Sequence, residues 1–229
     1  MNLIKIKLGK HVGLFIILLA AFANARADLL ETWAKQEASA YSDQNWNAIR
    51  RSALDTSDPT VTRVLAVGGK LAKLTGQRWD LCVFTSKQSA PAFSLPGYRL
   101  AISKELADSL SDDSLAWVLG HEMGHGMMQH TQRQFAYLLG LDAQVQLLAG
   151  HLGEPAPWQK LVQEHFPEAT ELDREQELSA DAFGEKLATL AGFDGKGGAV
   201  QFLSTLTPDP KDVYHPLPSV RLAQIQDLK

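Results

Sequence analysis

The chain has 229 residues, 45% hydrophobic and 21% charged, enough apolar material for one buried core; this excludes a disordered or fibrous protein. Its 22 basic and 26 acidic residues give a net charge of −4; four of the basic ones (Lys5, Lys7, Lys10 and Arg26) lie in the first 27 residues, which hold no acidic one, so the remainder stands at 18 against 26, or −8. A body this acidic repels phosphate, which argues against nucleic acid or an anionic membrane surface as partner. The lone Cys82 excludes an intrachain disulfide and a cysteine zinc cluster.

Met1 to His11 carries lysines, and the apolar run from Val12 to Ala23 is too short to cross a bilayer comfortably as one helix. Residues 1–27 therefore read as a secretory signal cleaved after Ala25-Arg26-Ala27, leaving 229 − 27 = 202 residues, the alternative being an uncleaved anchor. The expectation is a periplasmic or secreted protein, with no stable membrane insertion after cleavage and a single domain over 28–229. Asp28 to about Leu54 repeats apolar residues at helical spacing, and Val61, Val64, Leu65, Gly68 and Leu71 mark a second amphipathic helix. Trp79 to Thr85 and Tyr98 to Ile102 are expected strands, joined through a stretch punctuated by Pro91 and Pro96-Gly97. Ser111 caps a helix whose first turn holds Asp112 and Asp113, well placed for the helix dipole. Phe135 to Gly150 is apolar but interrupted by Asp142, Gln144 and Gln146, which is no membrane span. Residues 151–170, with Pro155, Pro157 and Pro167, are expected to be loop-rich, followed by a long helix from about Leu172 to Leu190. A break over Gly192 to Gly198, a short helix near Val200 to Leu206, a His215-Pro216 turn and a last helix with Leu222 and Ile225 on one side complete the chain.

The chemistry lies in His121-Glu122-Met123-Gly124-His125, an HExxH pattern. Two imidazoles four residues apart leave one helical face and can hold one zinc ion, with a glutamate beside them. Leu115, Val118 and Leu119 supply a buried stripe, and Gly120 and Gly124 permit close backbone approach. A catalytic zinc needs a third protein ligand. The metzincin continuation fails, because Met128 and Thr131 stand where glycine and histidine are required. His130, nine residues beyond His121, falls on the opposite side of a straight helix and reads as a solvated or structural histidine. Glu177 and Asp181 share a face of the later helix; Glu177 can ligate zinc while Asp181 accepts the outer N–H of a ligand imidazole. Glu171, Asp173 and Glu175 read as a solvated face.

These motifs, with Ala92 to Gly97 ahead of the strand Tyr98 to Ser103, the Gly192-Phe193-Asp194 turn, and His215-Pro216 with Arg221 six residues after the histidine, resemble a zinc metallopeptidase family of the gluzincin type. That family includes the CAAX prenyl proteases, the HtpX-type heat-shock proteases and the periplasmic barrel-assembly-enhancing protease. The resemblance implies that His121, His125 and Glu177 bind one zinc ion per chain, that Glu122 is the catalytic base, and that His215 and Arg221 lie close to the site. It also implies a mostly helical α+β single domain with a small β-sheet beside the active-site helix. The chain departs from the pattern at Pro91, where the family has asparagine, and at Tyr98, where it has glycine.

The expected activity is zinc-dependent endopeptidase cleavage of unfolded or misassembled envelope proteins, with Tyr98 to Ser103 as a sheet edge to which an extended substrate adds. His215 or Arg221 would bind the developing oxyanion; alternatively His215 is a fourth zinc ligand that keeps the enzyme latent, or only begins a turn. The competing functions are a zinc-stabilised, non-catalytic, chaperone-like binding protein and a hydrolase of non-peptide amides. Neither explains a peptide-cleaving constellation as directly: a purely structural zinc has no use for Glu122, and an exposed edge strand suits a peptide.

Overall fold

The structure is a computed structural model that describes residues 31–85, 90–137, 140, 158–210 and 212–228, without side chains for 158–169. The signal segment and its cleavage point, most of Phe135 to Gly150, and residues 151–157 lie outside the described residues. No described helix is long and apolar enough to cross a membrane.

Helix α1 (residues 31–49) runs into a 3-10 turn, Arg50–Ser52. Helix α2 (Pro59–Thr75) starts where the Asp58 side chain accepts from the Thr60 N–H, with proline in its first turn, and stops at Gly76, whose φ of 68° lies in the left-handed region. Of its predicted apolar stripe, Val61, Val64, Gly68 and Leu71 are buried and Leu65 is exposed. Strands β1 (Asp80–Phe84), β2 (Ala92–Leu95) and β3 (Arg99–Ser103) form one sheet in the order β1-β3-β2, with β1 parallel and β2 antiparallel to β3. Helix α3 (Lys104–Ser109), capped by Ser103, leads to α4 (Asp112–Met127), capped by Ser111 and carrying the HExxH motif. Helix α5 (residues 130–137), α6 (Trp158–Leu190), α7 (Gly195–Leu203) and α8 (Pro218–Asp227) complete the mostly helical α+β fold.

The sheet is covered on both faces. Val83, Leu100 and Ile102 pack on one side with Val64 and Leu71 of α2 and Leu115 and Leu119 of α4. Cys82, Phe84, Leu95 and Ala101 pack on the other with Trp46 and Ile49 of α1. Helix α4 is buried almost all round from Ser114 to Gly124, as befits a helix at the centre of a domain.

Four sequence expectations are corrected. Residues 92–95 form a strand, so β3 is the central strand and not the edge; the sheet edge nearest the cleft is β2. Four residues bounded by prolines give little periodicity to read, and pairing is set by β3. Helix α6 begins at Trp158, inside the stretch expected to be loop, and passes through Pro167, because one proline removes one ladder bond and does not forbid a helix whose other residues favour it. Helix α7 begins at Gly195, because Asp194 caps it through the Gly197 N–H and its glycines permit close packing: a Cβ on Gly198 would lie 2.3 Å from the Asp113 carbonyl oxygen. Helix α3 carried no sequence signal beyond its Ser103 cap.

Candidate active site

Small residues bring α4 and α6 together. A Cβ on Gly120 would sit 3.0 Å from the Gly184 backbone, one on Gly124 3.2 Å from Ala180 Cα, and one on Gly184 2.7 Å from the His121 nitrogen. Backbones this close place the acidic face of α6, Glu177 and Asp181, directly against the two imidazoles of α4.

The ligand atoms of His121, His125 and Glu177 lie within 4.8 Å of one another. His121 Nε2 and His125 Nε2 are 3.1 Å apart; Glu177 brings Oε2 to 3.4 Å from the former and Oε1 to 3.2 Å from the latter. Glu177 Oε2 is buried without a hydrogen-bond partner. A buried carboxylate oxygen left so is costly, and the two imidazole nitrogens beside it meet only each other and this carboxylate; a cation between them answers all three. Two histidines and a glutamate make the donor set of a catalytic zinc site, so the residues fit that ion.

Behind His121, Asp181 Oδ1 lies 2.9 Å from Nδ1, an ion-pair approach that is out of line for a straight hydrogen bond. Asp181 is fully buried and gripped by Arg221, whose Nε donates to Oδ2 at 2.7 Å while Nη2 donates to Oδ1 at 2.5 Å. Burial opposes charge on Asp181, but the Arg221 fork and His121 hold its pKa below the ordinary carboxylate value. Burial likewise opposes charge on His121, and Asp181 and Glu177 outweigh it, raising its pKa to about 10; a metal that binds there displaces a proton. Glu177 is held low by His121 and His125 against its burial.

Glu122 is half-buried and lines a cleft of about 320 Å³ with His121, Glu177, His215 and Arg221. His215 is on the rim, half-exposed; its Nδ1 is 2.8 Å from Asp212 Oδ2 and its Nε2 is 3.8 Å from Glu177 Oε1. All seven residues singled out for the site in the sequence thus come together.

Two participants were missed. Asp212, which orients His215, sits three residues ahead of it with no motif to mark it. His130 is 2% exposed, with Nδ1 3.0 Å from His125 Nδ1. It is the structural histidine of the two alternatives, and burial followed by the neighbouring His125 pushes its pKa down to about 3. The straight-helix assumption misplaced it: α4 ends at Met127, and Gln129 adopts φ 56°, which turns the chain back. Of the acidic residues read as a solvated face, Glu171 and Glu175 are exposed, whereas Asp173 is half-buried and accepts from Gln134.

No curated protein matches the chain at a significant level. Residues 56–229, three quarters of the sequence and all of the site just described, match peptidase family M48, and the protein belongs to that family of metallopeptidases.

Proposed function

We propose that this protein is a zinc endopeptidase that cuts extended segments of unfolded or misassembled proteins outside the cytoplasm. The carrying observation is the convergence of His121, His125 and Glu177 beside a cleft lined by Glu122. Zinc, when bound, would supply Lewis acidity toward the peptide carbonyl and toward the attacking water. His121, His125 and Glu177 would hold it. Glu122 takes the proton from the attacking water and delivers it to the leaving amine. His215 donates its Nδ1–H to Asp212 and, as an imidazolium, carries a second N–H on Nε2 that can bind the developing oxyanion. Arg221 gives Nε and Nη2 to Asp181, with Nη2 also 3.7 Å from Glu177 Oε2, so Arg221 acts by positioning Asp181, and through it His121.

An extended substrate is favoured by β2. The Ser103 N–H donates to the Pro91 carbonyl, and antiparallel alternation then turns the main-chain groups of Ala92 and Ser94 away from β3, toward an edge on which no described strand pairs. Ala90, Pro91 and Ala92 line the cleft, so a peptide added to this edge runs past Glu122. A second cavity of about 440 Å³, lined by Tyr41, Phe93 and Leu95, flanks the other face of β2 and suits the alternate side chains of such a peptide. Export is favoured by the composition of residues 1–27.

The test is zinc content and cleavage of casein by the wild type and Glu122→Gln. Both should bind about one zinc per chain, and the variant should lose about 10²- to 10⁴-fold in rate. Cleavage by Glu122→Gln at the wild-type rate would refute the assignment of the base.

A further inference from the structure

We propose that His130 is a positioning residue for the metal site, accepting a hydrogen bond from His125 Nδ1–H and so holding His125 in the tautomer whose Nε2 is free to bind the metal. This rests on the reading of His125 as a ligand.

The two outer nitrogens of the imidazole pair are served differently. Asp181, anchored by Arg221, stands behind His121. Behind His125 stands another imidazole, with the two Nδ1 atoms 3.0 Å apart and the rings nearly perpendicular at 85°. His130 is reached only because α4 stops at Met127 and the left-handed Gln129 brings α5 back over the end of the motif helix.

One proton must lie between the two Nδ1 atoms, and its placement decides the state of the site. If His130 donated it, His125 Nδ1 would be the acceptor, and a neutral His125 would then carry its hydrogen on Nε2, pointing at His121 and Glu177 where a metal must bind. If His125 donates it, its Nε2 is bare and the ring is a ligand. His130 then carries its own hydrogen on Nε2, and a receiver is in place: Ser179 Oγ lies 3.4 Å away, and its hydroxyl donates onward to the Gln176 carbonyl at 2.9 Å. Every bond in the series His125, His130, Ser179, Gln176 holds one proton, and the series ends on a carbonyl that can only accept. Ser179 and Gln176 flank Glu177 on α6, so the series links the second ligand on α4 to the helix that bears the third. An acceptor that is an imidazole and not a carboxylate leaves His125 a weaker electron donor than His121, with its orientation fixed all the same.

The experiment measures zinc affinity by competition with a chromophoric chelator for the full chain and for His130→Asn, His130→Leu and Ser179→Ala, with long-range ¹H–¹⁵N spectra of the zinc-loaded wild type. Asparagine can return an oxygen acceptor near the Nδ1 position, whereas leucine keeps the bulk without an acceptor. The expected result is about 10- to 100-fold weaker zinc binding for His130→Leu, with most of the affinity retained by His130→Asn, on the scale set by outer partners of metal-bound histidines. Ser179→Ala should fall between them. In the spectra, His125 should be protonated at Nδ1, and His130 protonated at Nε2 and bare at Nδ1. A folded His130→Leu that binds zinc as tightly as the wild type, equal losses in the leucine and asparagine variants, or a proton on His130 Nδ1 in the spectra would each overturn the proposal. The spectra decide the matter without any variant having to fold. Failure of the wild type itself to bind zinc would instead overturn the metal-site reading beneath it.

Discussion

Asp181 lies wholly inside the protein between a guanidinium and an imidazole, so its charge serves two neighbours at once. Changing it to asparagine removes the negative charge that pairs with the buried Arg221 and leaves His121 facing only a neutral amide. Asp181→Asn should therefore lose about 3–5 kcal/mol of stability and bind zinc about 10- to 100-fold more weakly, read by denaturant unfolding and chelator competition; a loss in one measurement alone would show that the two duties are separable. The pH responses of fold and site should also separate. The Asp181 pKa is depressed below 3.8 in the folded state, so its contribution is fully present above that pH and is lost only as pH falls through the lower folded value. Ligand imidazoles, by contrast, must be neutral to hold metal, and the raised pKa of His121 makes protons compete with zinc well above pH 6, so zinc affinity should weaken as pH falls and occupancy and turnover should be lost below about pH 6. At pH 5 the far-ultraviolet circular dichroism should remain native while activity is lost. Unchanged turnover and zinc content at that pH would contradict the assignment of the ligands.

The crossing of α4 and α6 is what converts a pattern of residues into a site, and it depends on atoms that are missing. Gly184→Ala puts a methyl 2.7 Å from the His121 backbone nitrogen, which must push the helices apart. It should cost about 1–3 kcal/mol as overpacking and draw Glu177 away from the imidazoles, weakening zinc binding as well. Gly69→Ala is the control, since nothing lies within 4 Å of its added methyl in the interior of α2; it should gain about 0.4–1 kcal/mol and leave zinc affinity unchanged. Equal effects of the two changes on zinc binding would sink the crossing argument. The motif helix was legible for the same local reasons that make it stable: the Ser111 cap, the acidic first turn, the apolar stripe and the two glycines all lie within one window of sequence. Glu177 and Asp181 could be paired with it because an i, i+4 acidic face has an obvious chemical use beside HExxH. The position of His130 could not be read, since a glutamine at φ 56° leaves no trace in composition. The strand order was hidden for a different reason: β1 pairs with β3 across the intervening β2, a non-local choice that short strands do not announce.

At the scale of the whole molecule, α1 stands ahead of the residues that match the family and closes the face of the sheet turned away from the metal ligands. Trp46 is 4% exposed and packs there with Ile49, Cys82, Phe84, Leu95 and Ala101, which also explains why the one cysteine is buried. The same helix braces the β2–β3 turn: the Ser42 hydroxyl donates to the Pro96 carbonyl at 2.6 Å, and Arg99 pairs with Asp43 at 2.7 Å. That turn holds Gly97 at φ 88° and Tyr98 at φ 59°, so Tyr98 keeps a backbone suited to glycine, its ring set edge-on against Trp79 at 5.4 Å. A strained turn and a four-residue edge strand need outside support to stay in register, and α1 provides it. Trp46→Ala should cost about 3–5 kcal/mol in denaturant unfolding, as for other large core aromatics. Because α1 supplies none of the metal ligands, zinc affinity under native conditions should not change. Because it steadies β2, the edge proposed to hold substrate, KM for an unfolded protein should rise while kcat changes little. A variant with lowered stability but unaltered KM would confine α1 to a structural role, and one that lost zinc would show that the two faces of the sheet are more tightly coupled than their separate cores imply.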